Sequence, residues 1–231
     1  MISAPFVLLD DARDGGAGAR LYTDPVEIVV AETREAVLPA LARLRGARRR
    51  GLHAAGYLTY EAGAALAARA VPVREGDGPL LWFGLFEGYR ALDADAVAEW
   101  LPDPAGAWAS APQPRGEREA YDAAFAAVTA LIRAGDIYQA NLTIRTDVAI
   151  AGDPAALYAW LRREAAAGHG ALVATGTAHM LSLSPELFFT LEGDALTCRP
   201  MKGTAVRGRR WARMRRWRMR WPAIPSSAPK I

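Results

Sequence analysis

Residues 182–204, SLSPELFFTLEGDALTCRPMKGT, constrain this chain more than any other stretch: two apolar strands flank a turn signal, and little but a β-hairpin satisfies that pattern. Glu192-Gly193-Asp194-Ala195 is the turn. A loop of two residues sets Glu186 opposite Met201, and a loop of three sets it opposite Lys202. Side chains alternate between faces along a strand, so only the three-residue register puts Glu186 and Lys202 side by side, with Cβ atoms about 5 Å apart. That register is the expected one. A carboxylate and an amine so placed, beside Gly203, can act as acid/base and nucleophile, the glycine letting a substrate approach the backbone. The amine attacks carbon only when neutral, and the carboxylate alone raises its pKa, so desolvation or a second cation would have to lower it. An ordinary cross-strand ion pair accounts for the same two residues, and pattern alone leaves that alternative open.

The rest of the chain surrounds this hairpin with both helices and strands. VEIVVAE (26–32) is a β-branched run, and Thr33 then opens a helix with Val37, Leu38, Leu41 and Leu44 on one stripe, closing in basic residues and Gly51. AAGYLTY (54–60) and LLWFGLFEGY (80–89) read as strands, with EAGAALAARA between them as a short helix. Four prolines in residues 101–116 mark a linker. Beyond it Tyr121, Phe125, Val128, Leu131 and Ile132 form a helical stripe that Gly135 stops. IYQANLTIRTDVAI (137–150) alternates as a strand, and DPAALYAWLRREAAAG is a helix with Asp153 as N-cap and Pro154 at its first position. Strands are expected near 171–175, 179–183, 186–191 and 195–199.

Strands therefore arrive in hairpin-like succession rather than strict βαβ alternation, which predicts an α+β fold, with antiparallel-rich sheets and packed helices, over a doubly wound sheet. The division that follows is an N-terminal α+β region over 1–100, a Pro-rich linker over 101–116, a region over 117–206 and a basic Arg/Trp-rich tail over 207–231.

Composition narrows the function classes. No run of ~18 apolar residues is present, and MISAPFVLLDDARDGG carries acidic residues where a signal peptide would carry basic ones, so a soluble cytoplasmic protein is expected. Cys198 is the single cysteine and the three histidines, His53, His169 and His179, are scattered, which removes internal disulfides and a zinc set by spacing. Cys198 is expected as buried filler of its strand. The net charge of +3 hides an asymmetry: nine of the 28 Lys and Arg lie from Arg207 onward without any Asp or Glu, which leaves −6 over residues 1–206. Trp211, Met214, Trp217 and Trp221 fall within ~120° of one another on a helical wheel, the pattern of a membrane-surface or nucleic-acid-binding tail, interrupted by Arg210 and Arg218.

GDIYQANLT (135–143), SPELFF (184–189) and PMKGT (200–204) stand in the order and spacing of three motifs of the chorismate-binding enzymes. With PFVLLDDAR, RLYTDPVEIVVAE and AAGYLTYEAG, the chain resembles the aminodeoxychorismate synthase component I group of that family over residues 5 to about 208. The resemblance implies an incomplete fold of the anthranilate synthase component I type, residues 117–206 being the first part of its catalytic region. Anthranilate, isochorismate and salicylate synthases typically carry alanine at the position of Lys202. The resemblance thus implies that the Lys202 amine adds to C2 of chorismate as the C4 hydroxyl leaves. Ammonia then attacks C4 and expels the lysine, giving 4-amino-4-deoxychorismate for p-aminobenzoate and folate synthesis. Glu186 matches the general acid/base, and Gly203 and Thr204 match chorismate contacts. A glutamine amidotransferase, component II, would supply the ammonia, and Mg²⁺ would meet the chorismate carboxylate.

Two departures from the family accompany these matches. Some members bind tryptophan through an LLxS motif and a Pro-aromatic-Ser or similar stretch; here Leu8-Leu9-Asp10-Asp11 and Gly168-His169-Gly170 stand there, and no tryptophan binding is expected. After Gly208 the basic tail replaces the family's acidic helix and its magnesium-binding glutamates, so the metal ligands are expected outside this chain. A shifted reading frame in a GC-rich gene accounts for such a change, and the coding DNA checks it. An inactive chain is the corresponding expectation, with an open side on residues 120–208 where the missing partner would pack. An anthranilate synthase component I-like enzyme and a non-catalytic fragment with a membrane- or nucleic-acid-binding tail are the alternatives; neither membrane nor nucleic acid is expected as a partner.

Overall fold

The computed structural model describes residues 3–67 and 78–199. The chain divides into two compact units, residues 1–185 and 186–231. In the first, β1 (Phe6–Asp11), β2 (Gly18–Thr23) and β3 (Glu27–Ala31) lead into α1 (Arg34–Arg49), then β4 (His53–Leu58), a 3₁₀ turn and the short α2 (Gly63–Leu66). β5 (Leu81–Phe86), β6 (Arg90–Leu92) and α3 (Ala94–Trp100) follow, then β7 (Ala107–Ala109), β8 (Gln113–Pro114) and α4 (Arg118–Ala134). β9 (Thr146–Asp147), β10 (Ile150–Gly152), α5 (Pro154–Ala165), β11 (His169–Ala174) and β12 (His179–Ser184) complete the unit. The second unit shows β13 (Leu187–Glu192) and β14 (Ala195–Arg199).

Every described strand pair is antiparallel, as an α+β chain of hairpins predicts. One sheet runs β12-β11-β1-β2-β6 and a second β3-β5-β4. The period-2 pattern decides what each face touches. Phe6, Leu8 and Leu21 turn toward α3 and α5, where Val97, Ala155 and Tyr158 meet them. Val7, Tyr22 and Val173, on the opposite face, pack against Ala55, Trp82 and Phe86 of the second sheet. Val29, Ala31, Leu81 and Leu85 then cover the other face of that sheet with Val37, Ala40 and Ala47 of α1. The result is four layers, helix, sheet, sheet, helix, and a strand buried on both faces reads without alternation, as Phe6-Val7-Leu8 of β1 does. Each fully buried Leu or Phe here contributes about 1.5–3 kcal/mol. Gly56 lets β4 lie close to β5, since a Cβ there would run into the Trp82 carbonyl.

Helix ends follow the sequence signals. Asp153 accepts from Ala155 N at 2.8 Å with Pro154 at the first position of α5, and Gly135 ends α4 at φ +84°. Thr33 stands at the N-cap of α1 in extended conformation, yet its side chain makes no capping bond.

Three expectations are revised. Residues 137–150 do not form one strand: 137–145 have no regular structure, and only Thr146–Asp147 and Ile150–Gly152 pair, with β8 and β7. Alternation supplies side chains for two faces, but a strand also needs a neighbour to take its N–H and C=O groups, and over 137–145, among the described residues, only the Arg145 carbonyl meets one, accepting from Arg115 N at 2.7 Å. The neighbours of β9 and β10 come from 107–114, inside the Pro-rich stretch read as linker. Cys198 is exposed, as is every residue of β14, because no layer of the described residues covers either face of that strand. α4 shows the open side expected within 120–208: none of its side chains is buried, and Phe125 is 56% exposed.

Candidate functional site

β13 and β14 meet across a two-residue loop, with Glu192 opposite Ala195, Leu191 opposite Leu196 and Thr190 opposite Thr197. Gly193 takes φ +58° at the first loop position while Asp194 takes no positive φ, the pattern of a type II′ turn. Between Thr190 and Leu187, β13 carries one residue more than β14, so Phe188 and Phe189 together stand against Cys198 before pairing resumes at Leu187↔Arg199. The two rings lie 5.3 Å apart, edge to face, and Phe188 is 86% exposed.

This corrects the expected register. A three-residue loop would bring Glu186 opposite Lys202; the turn closes in two residues and the bulge shifts the count once more in the same direction. The Gly-Asp pair fits a two-residue turn without help, and a bulge is invisible to a count of alternating residues. Glu186 itself is an exposed residue one position before β13. Lys202, Gly203 and Thr204 lie outside the described residues. Of the GDIYQANLT stretch, Gly135 closes α4 and Tyr138 is 86% exposed in the irregular segment that follows.

A buried charge cluster in the first unit escaped the sequence reading. β1 and β11 pair so that Asp10 lies opposite Gly170. The Asp10 carboxylate accepts from Arg162 Nε at 2.6 Å and from Tyr158 Oη at 3.2 Å. Its side chain is fully buried and that of Arg162 is partly so. Burial first, and the Asp10 charge second, push the Tyr158 phenol well above its ordinary value, so it stays a neutral donor. Gly170 leaves the space: a Cβ there would stand 2.6 Å from Tyr158 Oη. The signal was present in FVLLD, an apolar strand ending in an acid, with an arginine two turns into α5. Next to it Asp11 holds its own loop, accepting from Arg13 Nε at 2.7 Å and Ala17 N at 3.1 Å. The Arg13 guanidinium keeps the Asp11 carboxyl well below the usual carboxylate range.

Residues 4–219 match the family described as chorismate binding enzyme. The chain belongs to the chorismate-binding enzymes. Its relatives carry two names. Anthranilate synthase component 1 of Haloferax volcanii is 33% identical over 128 residues, 54% of this chain and 24% of the relative. Aminodeoxychorismate synthase component 1 of Salmonella typhimurium is 35% identical over 121 residues, 50% and 27%. The Bacillus subtilis protein of that second name is 30% identical over 118 residues, 51% and 24%. The matched stretch of this chorismate-binding chain thus spans about a quarter of each relative's length.

Proposed function

We propose that this chain carries the lysine-bearing part of an aminodeoxychorismate synthase component I site. The supporting observation is Lys202 in a PMKGT motif within a chain of the chorismate-binding family. A neutral Lys202 amine adds to C2 of chorismate, both ring double bonds move, and the C4 hydroxyl leaves as water with a proton from Glu186. Ammonia, delivered by a glutamine amidotransferase, attacks C4; the double bonds move back, the lysine departs as a neutral amine, and the new C4 ammonium returns a proton to Glu186, which restores both residues. Gly203 lets the substrate come close to the backbone, and Thr204 offers a hydroxyl to it. Mg²⁺ would offset the chorismate carboxylate. Among the described residues no three His, Cys, Asp or Glu side chains gather where a cation could sit.

The Haloferax relative's name supports a second reading, anthranilate formation, which needs no lysine adduct. Residues 1–206 joined in frame to the remaining C-terminal length of the Salmonella relative separate the two. With chorismate and no ammonia, the peptide holding Lys202 should gain the mass of chorismate less one water, and Lys202→Ala should abolish the gain. Turnover to product with Lys202 never modified would sink the lysine route.

A further inference from the structure

We propose that the cleft between the C-terminal half of α1 and β4 binds a small amphiphilic anion, an oxyanion head on an apolar ring or short chain. Leu41, Leu44 and Leu52 line it with Arg45 and Arg48, and the start of β4 at His53 and Ala54 closes it, around about 400 Å³. That is room for a ring-sized molecule.

Helical spacing builds the α1 wall. Leu41, Leu44, Arg45 and Arg48 are three or four residues apart and share one face, so a strip of leucine runs beneath two guanidinium groups. The leucines are partly buried and pack onto the core under α1, which makes the floor a continuation of that core. The charges are unbalanced. Arg43 and Arg50 are paired with Glu27, at 2.7 and 3.5 Å, whereas Arg45 and Arg48 make no ion pair among the described residues. Two such guanidinium groups one turn apart suit a phosphate or carboxylate, which accepts their parallel N–H donors.

The opposite wall is held in place independently. His53, at the start of β4, meets Tyr89 edge-on at 5.5 Å and lies 6.3 Å from Tyr22. Tyr89 is in turn capped by the Arg20 guanidinium at 5.2 Å, and Tyr22 packs on Phe86 at 5.3 Å. The imidazole thus anchors the start of β4 from the face away from α1, where its register partner Phe86 also lies, and the Leu52 and Ala54 side of the strand closes the cleft. Among the described residues no acidic side chain lines the cleft. Cations above an apolar floor select a ligand that is itself divided, charged at one end and apolar at the other.

Titration calorimetry with phenyl phosphate or benzoate should show saturable binding at a single site. At least one of them should bind about tenfold tighter than inorganic phosphate and than benzyl alcohol, because only the two-ended probes use both floor and arginines. The surface substitutions Arg45→Gln and Arg48→Gln together should weaken it about tenfold with an unchanged circular dichroism spectrum. Equal binding of phosphate and phenyl phosphate, or an unchanged titration in the double variant, would overturn the proposal. Displacement of phenyl phosphate by phosphatidylserine vesicles would overturn it too, by making the surface a lipid site.

Discussion

Arg162 Nε donates to Asp10 Oδ2 at 2.6 Å, joining α5 to the central region of a five-stranded sheet through a carboxylate with no exposed surface. Removing one partner strands the other. Arg162→Ala should cost about 3 kcal/mol in urea unfolding, because Asp10 then stays buried without its cation. Replacing both, Asp10→Leu with Arg162→Met, should cost far less or stabilise, since the desolvation of both charges is removed together. Equal losses for the single and double changes would show that the pair is not the source.

Gly170→Ala should destabilise by about 1–3 kcal/mol, as its Cβ would enter the space of Tyr158 Oη. Tyr158→Phe removes that oxygen and also a hydrogen bond to Asp10. The penalty for Gly170→Ala should therefore shrink when it is introduced together with Tyr158→Phe, a coupling that a double-mutant cycle of unfolding free energies reads directly. Additive losses would refute the steric explanation.

Asp11 gives an acid-side test. Its folded pKa is lowered by Arg13, so its contribution is fully present above the unfolded carboxylate value near pH 4 and fades as pH falls through the folded value. Asp11→Asn should reduce stability at neutral pH by no more than about 1 kcal/mol, because solvent screens the pair. The two stability curves should then converge on acidification. A constant gap down to the lowest accessible pH would assign the loss to packing instead.

α4 carries an apolar stripe without burying it. Phe125→Asp should change unfolding free energy by less than about 0.5 kcal/mol, as surface positions do, while lowering self-association measured by light scattering. A large loss of stability would show that the stripe is packed in solution.

The fold was legible where a single segment specifies its own state. Asp153-Pro154 and Gly135 mark helix ends by local chemistry, and the strands of 171–199 follow from their apolar runs and turn residues. What needed a partner was not legible. The strand expected over 137–150 lacks a neighbour for most of its length, and the bulge at Phe188 and Phe189 is a property of two strands compared. Cys198 shows the same gap, since strand propensity gives no information on whether a second layer covers it. The site motifs were readable as a family resemblance, yet the geometric pairing of Glu186 with Lys202 rested on a register the turn does not adopt. Asp10 and Arg162 are 152 residues apart, and only the sheet brings them together.

The lysine chemistry is tested most directly by product analysis of residues 1–206 joined to the C-terminal length of the Salmonella relative, given chorismate, ammonium and Mg²⁺. The expected product is 4-amino-4-deoxychorismate, with the rate falling about 100-fold or more in Lys202→Ala. Anthranilate as the product, or amination undiminished without the lysine, would contradict the proposed function.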